Sequence, residues 1–180
     1  MARLLPEVDL MALDHVAPDL VLEEPFDTFR DNALAKARAV VHNTGLPSLA
    51  DDSGLEVDAL GGAPGVLSAR FAGAAATDAD NNRKLVALLR DVRAEERTCR
   101  YRCVAVLVLA DGTEVSAEGA CEGIVVLEGR GSLGFGYDPH FVPQGQTRTM
   151  GQIPLEEKLG FSHRGRAFRA LAEKIEDLRV

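Results

Sequence analysis

The stretch that most limits what this chain can fold into is a pair of long extended runs, 99–110 and 113–121, joined by Asp111-Gly112. An Asp-Gly pair between alternating apolar runs favours the tight turn whose twist matches two antiparallel strands. The chain is therefore committed to a long hairpin. Residues 124–127 continue as strand. Helical periodicity supplies the cover for the sheet. Phe29, Ala33, Ala37, Val40 and Val41 recur at helical spacing over 28–42, with Asp27 or Thr28 as cap and Gly45-Leu46-Pro47 as stop. A second helix begins near Thr77, where Thr77 and Asp80 form a capping-box pair, and presents Leu85, Val86, Leu88, Leu89 and Val92. A last helix over about 162–178 turns Phe168, Leu171, Ala172, Ile175 and Leu178 inward. Helices alternating with strands early, then a hairpin, predict an α/β fold: a mixed twisted sheet with helices packed on it, in one domain spanning 1–180.

The segments between are less regular. Residues 1–5 read as the tail of a helix stopped at Pro6, 8–13 as a short strand, and 19–27 as an acidic loop. A short apolar run, 48–50, ends at Asp51-Asp52-Ser53-Gly54, and alternation resumes over 55–60. Gly61, Gly62, Pro64 and Gly65 impose an irregular loop, and Gly129, Gly131, Gly134 and Gly136 another.

Composition excludes several functions. A net charge of −8 argues against non-specific nucleic-acid binding. It leaves room for a small anion held by a few local cations. No run approaches a membrane span and no signal-peptide core is visible, so a cytoplasmic protein without a membrane partner is expected. Cys99, Cys103 and Cys121 lack metal-ligand spacing and read as buried free thiols. His15, His42 and His140 read as structural.

Four places can carry chemistry. In Asp51-Asp52-Ser53-Gly54 two carboxylates at a strand end suit a hard divalent cation such as Mg²⁺, although the same letters also make an Asx-type turn. Asp31, in the first turn of the first long helix, is either a second metal ligand or a carboxylate favoured by the helix dipole. In Gly134-Phe135-Gly136-Tyr137-Asp138-Pro139 an aromatic between glycines can stack on a base, with Asp138 accepting hydrogen bonds from it. Alternatively Phe135 is tucked into the core. Arg164, in Ser162-His163-Arg164-Gly165, stands in a first helical turn against its dipole preference, which suggests another use or simple exposure. Lys158, Lys84 and Arg70 are ordinary cations unless a site recruits them. Together these supply a metal site, a base clamp and cations, the requirements for handling a nucleotide polyphosphate.

Read in order, these motifs resemble those of the inosine/xanthosine triphosphate pyrophosphatase family. The matching segments are Asp31-Asn32-Ala33 with Lys36-Ala37, Ala50 to Leu55, Gly61 to Gly65 with Ser68-Ala69-Arg70, Asn81 with Lys84-Leu85, Phe135 to Pro139, Glu157-Lys158 and Ser162 to Gly165. The resemblance implies two lobes around a central substrate cleft, a homodimer, and Mg²⁺-dependent hydrolysis of XTP, ITP and dITP to the monophosphate and pyrophosphate. It implies Asp52 as general base and metal-linked carboxylate. Asp51 and Asp31 would be further metal ligands, and Ser53, Phe135, Gly136, Tyr137, Asp138, Lys158, His163 and Arg164 would contact substrate. It also implies an initial strand and a Thr/Ser-x-Asn-x-x-Lys phosphate loop, which the sequence does not show. The expectation is thus a chain beginning at an internal methionine, or a nucleotide-binding or dimerisation module without catalysis.

Overall fold

The computed structural model describes residues 9–177. The element order is α1 (Leu13–Val16), α2 (Phe29–Thr44), β1 (Ser48–Val57), α3 (Asp78–Leu89), β2 (Thr98–Val108), β3 (Glu114–Val125), β4 (Phe141–Pro143), α4 (Leu155–Phe161) and α5 (His163–Asp177), with short 3-10 turns between. The four strands form one sheet in the order β1-β2-β3-β4.

The hairpin forms as its sequence predicts. Gly112 takes φ 87, the Asp111 carboxylate accepts from Thr113 N at 2.8 Å, and Leu109 N donates to Thr113 O at 2.9 Å. β4 closes against β3 antiparallel, with Gly123 opposite Pro143 and Val125 opposite Phe141. Side-chain contacts from β1 to β2 also run in antiparallel order, Asp51 to Cys103 and then Glu56 to Arg100.

The chain divides into two compact units. The first comprises the chain up to Asp52, Cys103–Gly119 and the chain from Arg164; the second comprises Ser53–Arg102 and Ala120–His163. In the first, Cys103, Ala105 and Ala117 on the sheet pack against Ala167, Phe168 and Leu171 of α5. Small residues on the strands let the helix approach closely enough for Phe168 to be fully covered. In the second, Leu55, Val57, Tyr101, Val125 and Phe141 pack with Leu85 and Leu89 of α3 and with Tyr137 and Met150. The cysteines are all free and buried.

Caps sharpen two helices. Thr28 accepts from Asp31 N at the start of α2, and Gly45 ends it in the left-handed region at φ 69. Thr77 and Asp80 form the full capping box of α3.

Two expectations fail. Within 8–13 no strand forms among the described residues, and Leu13–Val16 makes a single helical turn instead; the alternation there was too brief to distinguish strand from turn. Asp51-Asp52-Ser53-Gly54 is neither a strand end nor a turn. It lies inside the ten-residue β1, with Gly54 outside the positive-φ region. The last helix forms as expected, as α5, and the short α4 that precedes it was not read from the sequence. The expected helix tail at 1–5 and the inward Leu178 fall outside the described residues.

Candidate functional site: a buried carboxylate and a glycine-framed aromatic

In the first unit, β1 and α2 bring three side chains together. Asp52 is 8% exposed; Asn32 Nδ2 donates to its Oδ2 at 3.2 Å, and Lys36 Nζ lies 3.5 Å from its Oδ1. Asn32 and Lys36 are four residues apart on α2, so they share a face. Asn32 is fully buried and fully used. Its amide donates to Phe26 O and its carbonyl accepts from Phe26 N, which ties the acidic loop to the helix. Lys36 is held from its other side by Glu24 at 2.7 Å. An amide donor and an ammonium thus engage its two oxygens.

Asp51 does not join this group. Successive strand residues face opposite sides of the sheet, and because Asp51 and Asp52 lie within a strand, they diverge. Asp51 Oδ2 accepts from Arg164 Nε at 3.1 Å, from Arg164 Nη2 at 2.9 Å and from the Cys103 thiol at 3.5 Å. Burial, then the charge of Asp51, pushes the Cys103 thiol far above its ordinary range, so it stays protonated. Arg164, expected at a base edge, is held by Asp51.

Asp31 accepts from the Thr28 hydroxyl at 2.7 Å, at the exposed start of α2. No group of three or more His, Cys, Asp or Glu side chains suited to a metal occurs among the described residues. A Mg²⁺ ion that keeps its waters and takes phosphate oxygens needs only one or two carboxylates. Asp52 suits that donor set, while the Asp31 carboxylate is engaged by Thr28 at the start of α2. Asp51, engaged by arginine on the other side of β1, does not.

In the second unit, Phe135 lies between Gly134 at φ 89 and Gly136 at φ 58 and is 66% exposed. The core alternative for this ring is thereby excluded. The start of α3 fixes the loop: the Asp78 carboxylate accepts from Gly136 N at 2.6 Å, and Asn82 Nδ2 donates to Gly136 O at 2.8 Å. The loop also places Asp138, which is 9% exposed, against Lys158 of α4 at 2.7 Å. Tyr101 donates to the other oxygen of Asp138 at 3.2 Å and stacks on His163 with ring centroids 4.7 Å apart.

Tyr137, expected to contact substrate, is core. It is 3% exposed and its hydroxyl donates to Ser68 O at 2.8 Å. With Phe135 outward and Asp138 engaged by Lys158, the intervening ring is committed inward. Lys158 is a buried partner of Asp138 rather than a surface lysine. Lys84 donates to Phe71 O at 2.6 Å and lies 4.3 Å from the Phe71 ring centre, a scaffold role. Ser53 is half-buried on β1, directly after Asp52, and Arg70 is half-buried at the end of a 3-10 turn. His140 Nδ1 lies 2.8 Å from Val126 O, a structural contact. Asn32, Lys36, Glu24 and Tyr101 were not singled out from sequence as site residues. The available signal was a polar side chain inside an apolar periodicity: Asn32 beside Ala33 and Tyr101 two residues before Cys103.

Gly134 makes the second cluster possible. A Cβ there would lie 2.0 Å from Asp138 Oδ2 and 2.5 Å from Lys158 Nζ, on a backbone that L residues rarely adopt. Gly134→Ala is therefore expected to lower Tm by roughly 5 °C or more, since left-handed strain and the collision both act. A melt superimposable on the wild type would show that the loop relaxes without cost.

An α/β protein with a lysine- and amide-held carboxylate on one strand, and an exposed aromatic framed by glycines beside a buried acid–lysine pair, has the features of a nucleotide-handling domain. Comparison with known proteins makes this specific. The model of the Ham1 family matches residues 1–174, and the chain belongs to the Ham1 family. It is 46% identical over 173 residues to a dITP/XTP pyrophosphatase of Streptomyces coelicolor, covering 94% of this chain and 85% of that one. It is 50% identical over 150 residues to a dITP/XTP pyrophosphatase of Thermus thermophilus, covering 83% and 72%. The structure of the Staphylococcus aureus Ham1 protein superposes with TM-score 0.89 at 33% identity, covering 98% of this chain and 91% of that chain. A dITP/XTP pyrophosphatase from Mycobacterium abscessus superposes with TM-score 0.76 at 46% identity, covering 91% and 86%.

Proposed function

We propose that this protein hydrolyses the non-canonical purine nucleoside triphosphates XTP, ITP and dITP to the monophosphate and pyrophosphate, removing them from the nucleotide pool. The observation that carries this reading is the buried Asp52, held by Asn32 and Lys36, in a chain 46% and 50% identical to two dITP/XTP pyrophosphatases.

Asp52 accepts the proton of the water that attacks the α-phosphorus, and pyrophosphate leaves. Lys36 and Asn32 keep its carboxylate oriented. Asp52, with Asp31 as a further ligand, would hold Mg²⁺, which would supply charge neutralisation for the reacting phosphate. Phe135 stacks on the purine. Asp138 offers acceptors to the base edge and His163 a donor, while Arg164 is engaged by Asp51. Ser53 and the backbone of Gly136 contact substrate, while Lys158 holds Asp138. A 6-oxopurine carries a proton on N1, whereas adenine presents a bare acceptor there. A fixed carboxylate therefore favours hypoxanthine and xanthine over adenine. The family also leads us to infer a homodimer acting in the cytoplasm. No helix among the described residues is long and apolar enough to cross a membrane.

Pyrophosphate release from ITP, XTP, dITP and ATP, with and without Mg²⁺, tests the reading. Turnover of the first three and not of ATP, dependent on Mg²⁺, supports it. Binding of nucleotide without release would instead indicate a module without catalysis. Phe135→Ala is expected to raise KM for ITP by roughly 5- to 150-fold, from the loss of about 1–3 kcal/mol of base stacking. Its exposure predicts an unchanged Tm. Unchanged KM would remove Phe135 from the site.

A further inference from the structure

One buried side chain of the second unit touches two of the residues assigned to base recognition. Tyr101 lies on β2 and is 7% exposed. Its ring packs on Phe141, with centroids 4.5 Å apart and planes at 40°, and on His163, with centroids 4.7 Å apart and planes at 18°. A phenylalanine would fill that core position equally well. The hydroxyl is thus an added polar group in a buried place, where it needs a partner. It finds Asp138 Oδ1 at 3.2 Å. Burial, then the charge of Asp138, pushes the Tyr101 hydroxyl well above its ordinary range, so it stays protonated and able to donate.

Asp138 is otherwise anchored through Oδ2 by Lys158, and through its backbone by Phe135 O, which accepts from Asp138 N at 3.2 Å, and by Gly151 N at 2.8 Å. The backbone bonds fix where the residue stands. The side-chain bonds fix which way the carboxylate plane is turned, and fixing a plane requires a donor on each oxygen. Lys158, a single ammonium at one oxygen, leaves rotation about the Cβ–Cγ bond. Tyr101 removes it.

We propose that Tyr101 is a positioning residue for purine discrimination: its hydroxyl sets the plane of the Asp138 carboxylate and its ring sets the plane of the His163 imidazole. The proposal rests on the pyrophosphatase reading. A carboxylate held in one plane meets the N1 proton of a 6-oxopurine as an acceptor and meets the bare N1 of adenine lone pair to lone pair. A carboxylate free to turn avoids that repulsion and loses selectivity. Tyr101 therefore acts on which base is accepted, and only weakly on the chemical step.

The test is Tyr101→Phe, which keeps the ring against Phe141 and His163 and removes only the oxygen. Steady-state kinetics on ITP, XTP and ATP are read beside inhibition by tripolyphosphate, a ligand without a base. The expected result is a roughly tenfold rise in KM for ITP and a similar fall in the ITP-over-ATP ratio of kcat/KM, as for the loss of one hydrogen bond to a charged group. The kcat for ITP and the tripolyphosphate inhibition constant stay within about twofold of wild type. Tyr101→Leu, which also removes the face under His163, raises KM further. Wild-type KM and selectivity in Tyr101→Phe would overturn the proposal. So would a uniform loss of kcat on every nucleotide with KM and tripolyphosphate inhibition unchanged, which marks a purely structural role. If wild-type protein releases no pyrophosphate from ITP or XTP, the pyrophosphatase reading itself fails and this proposal falls with it. The wild-type control thereby separates the two failures.

Discussion

Asp52→Asn is expected to slow pyrophosphate release from ITP by about 10²- to 10⁴-fold, the range for loss of a general base, while ITP binding stays within a few-fold. The substitution is nearly isosteric, and the local structure tolerates it. Asn32 Nδ2 still finds a side-chain carbonyl at its acceptor position, and Lys36 keeps Glu24 at 2.7 Å, so no buried charge is orphaned. The Tm should therefore remain within a few degrees of the wild type. Rapid-quench or coupled assays of pyrophosphate release, beside equilibrium binding of ITP, separate the effects. A variant that retains a third or more of wild-type turnover would remove Asp52 as the proton acceptor. A variant that loses binding instead would make Asp52 chiefly a binding group.

The largest stability effect is expected from Lys158→Met. The Lys158–Asp138 pair is buried, with side-chain exposures of 10% and 12%. Removing one member of such a pair leaves a charge in a poorly hydrated place, which costs about 3–5 kcal/mol. For a domain of this size that lowers Tm by roughly 6–20 °C. Tyr101 remains as a donor to Asp138, which places the effect toward the lower end. The double variant Lys158→Met with Asp138→Asn should recover part of the loss, because neither partner is then a buried charge. Thermal or urea unfolding of the four proteins of this cycle measures the coupling directly. Equal stability of Lys158→Met and wild type would show that Asp138 is well solvated in solution, against its 9% exposure.

Much of the fold is readable from the sequence because local signals agree with one another. Thr28 and Gly45 bound α2, Thr77 with Asp80 starts α3, and Asp111-Gly112 turns the hairpin, all as the residue types require. The motifs around Asp52, Phe135 and Lys158 likewise mark which segments belong to the candidate site. Asp51-Asp52-Ser53-Gly54 shows where such reading stops. Its residues favour turns, yet it lies within β1, whose following residues Leu55 and Val57 are fully buried. Ladder hydrogen bonds and burial outweigh a local turn preference.

The sequence by itself determined the α/β class, the capped helices and the hairpin, because these rest on periodicity and on neighbours a few residues apart. Only the tertiary structure decided that Asp51 and Asp52 part company, that Lys158 is a buried partner of Asp138, that Tyr137 is core while Phe135 is exposed, and that Tyr101 joins Asp138 to His163. Each of these depends on which side of a strand or loop a side chain leaves from and on what residue 20 to 113 positions away comes to meet it. Contacts at that separation arise from packing of the whole chain, and no local pattern encodes them.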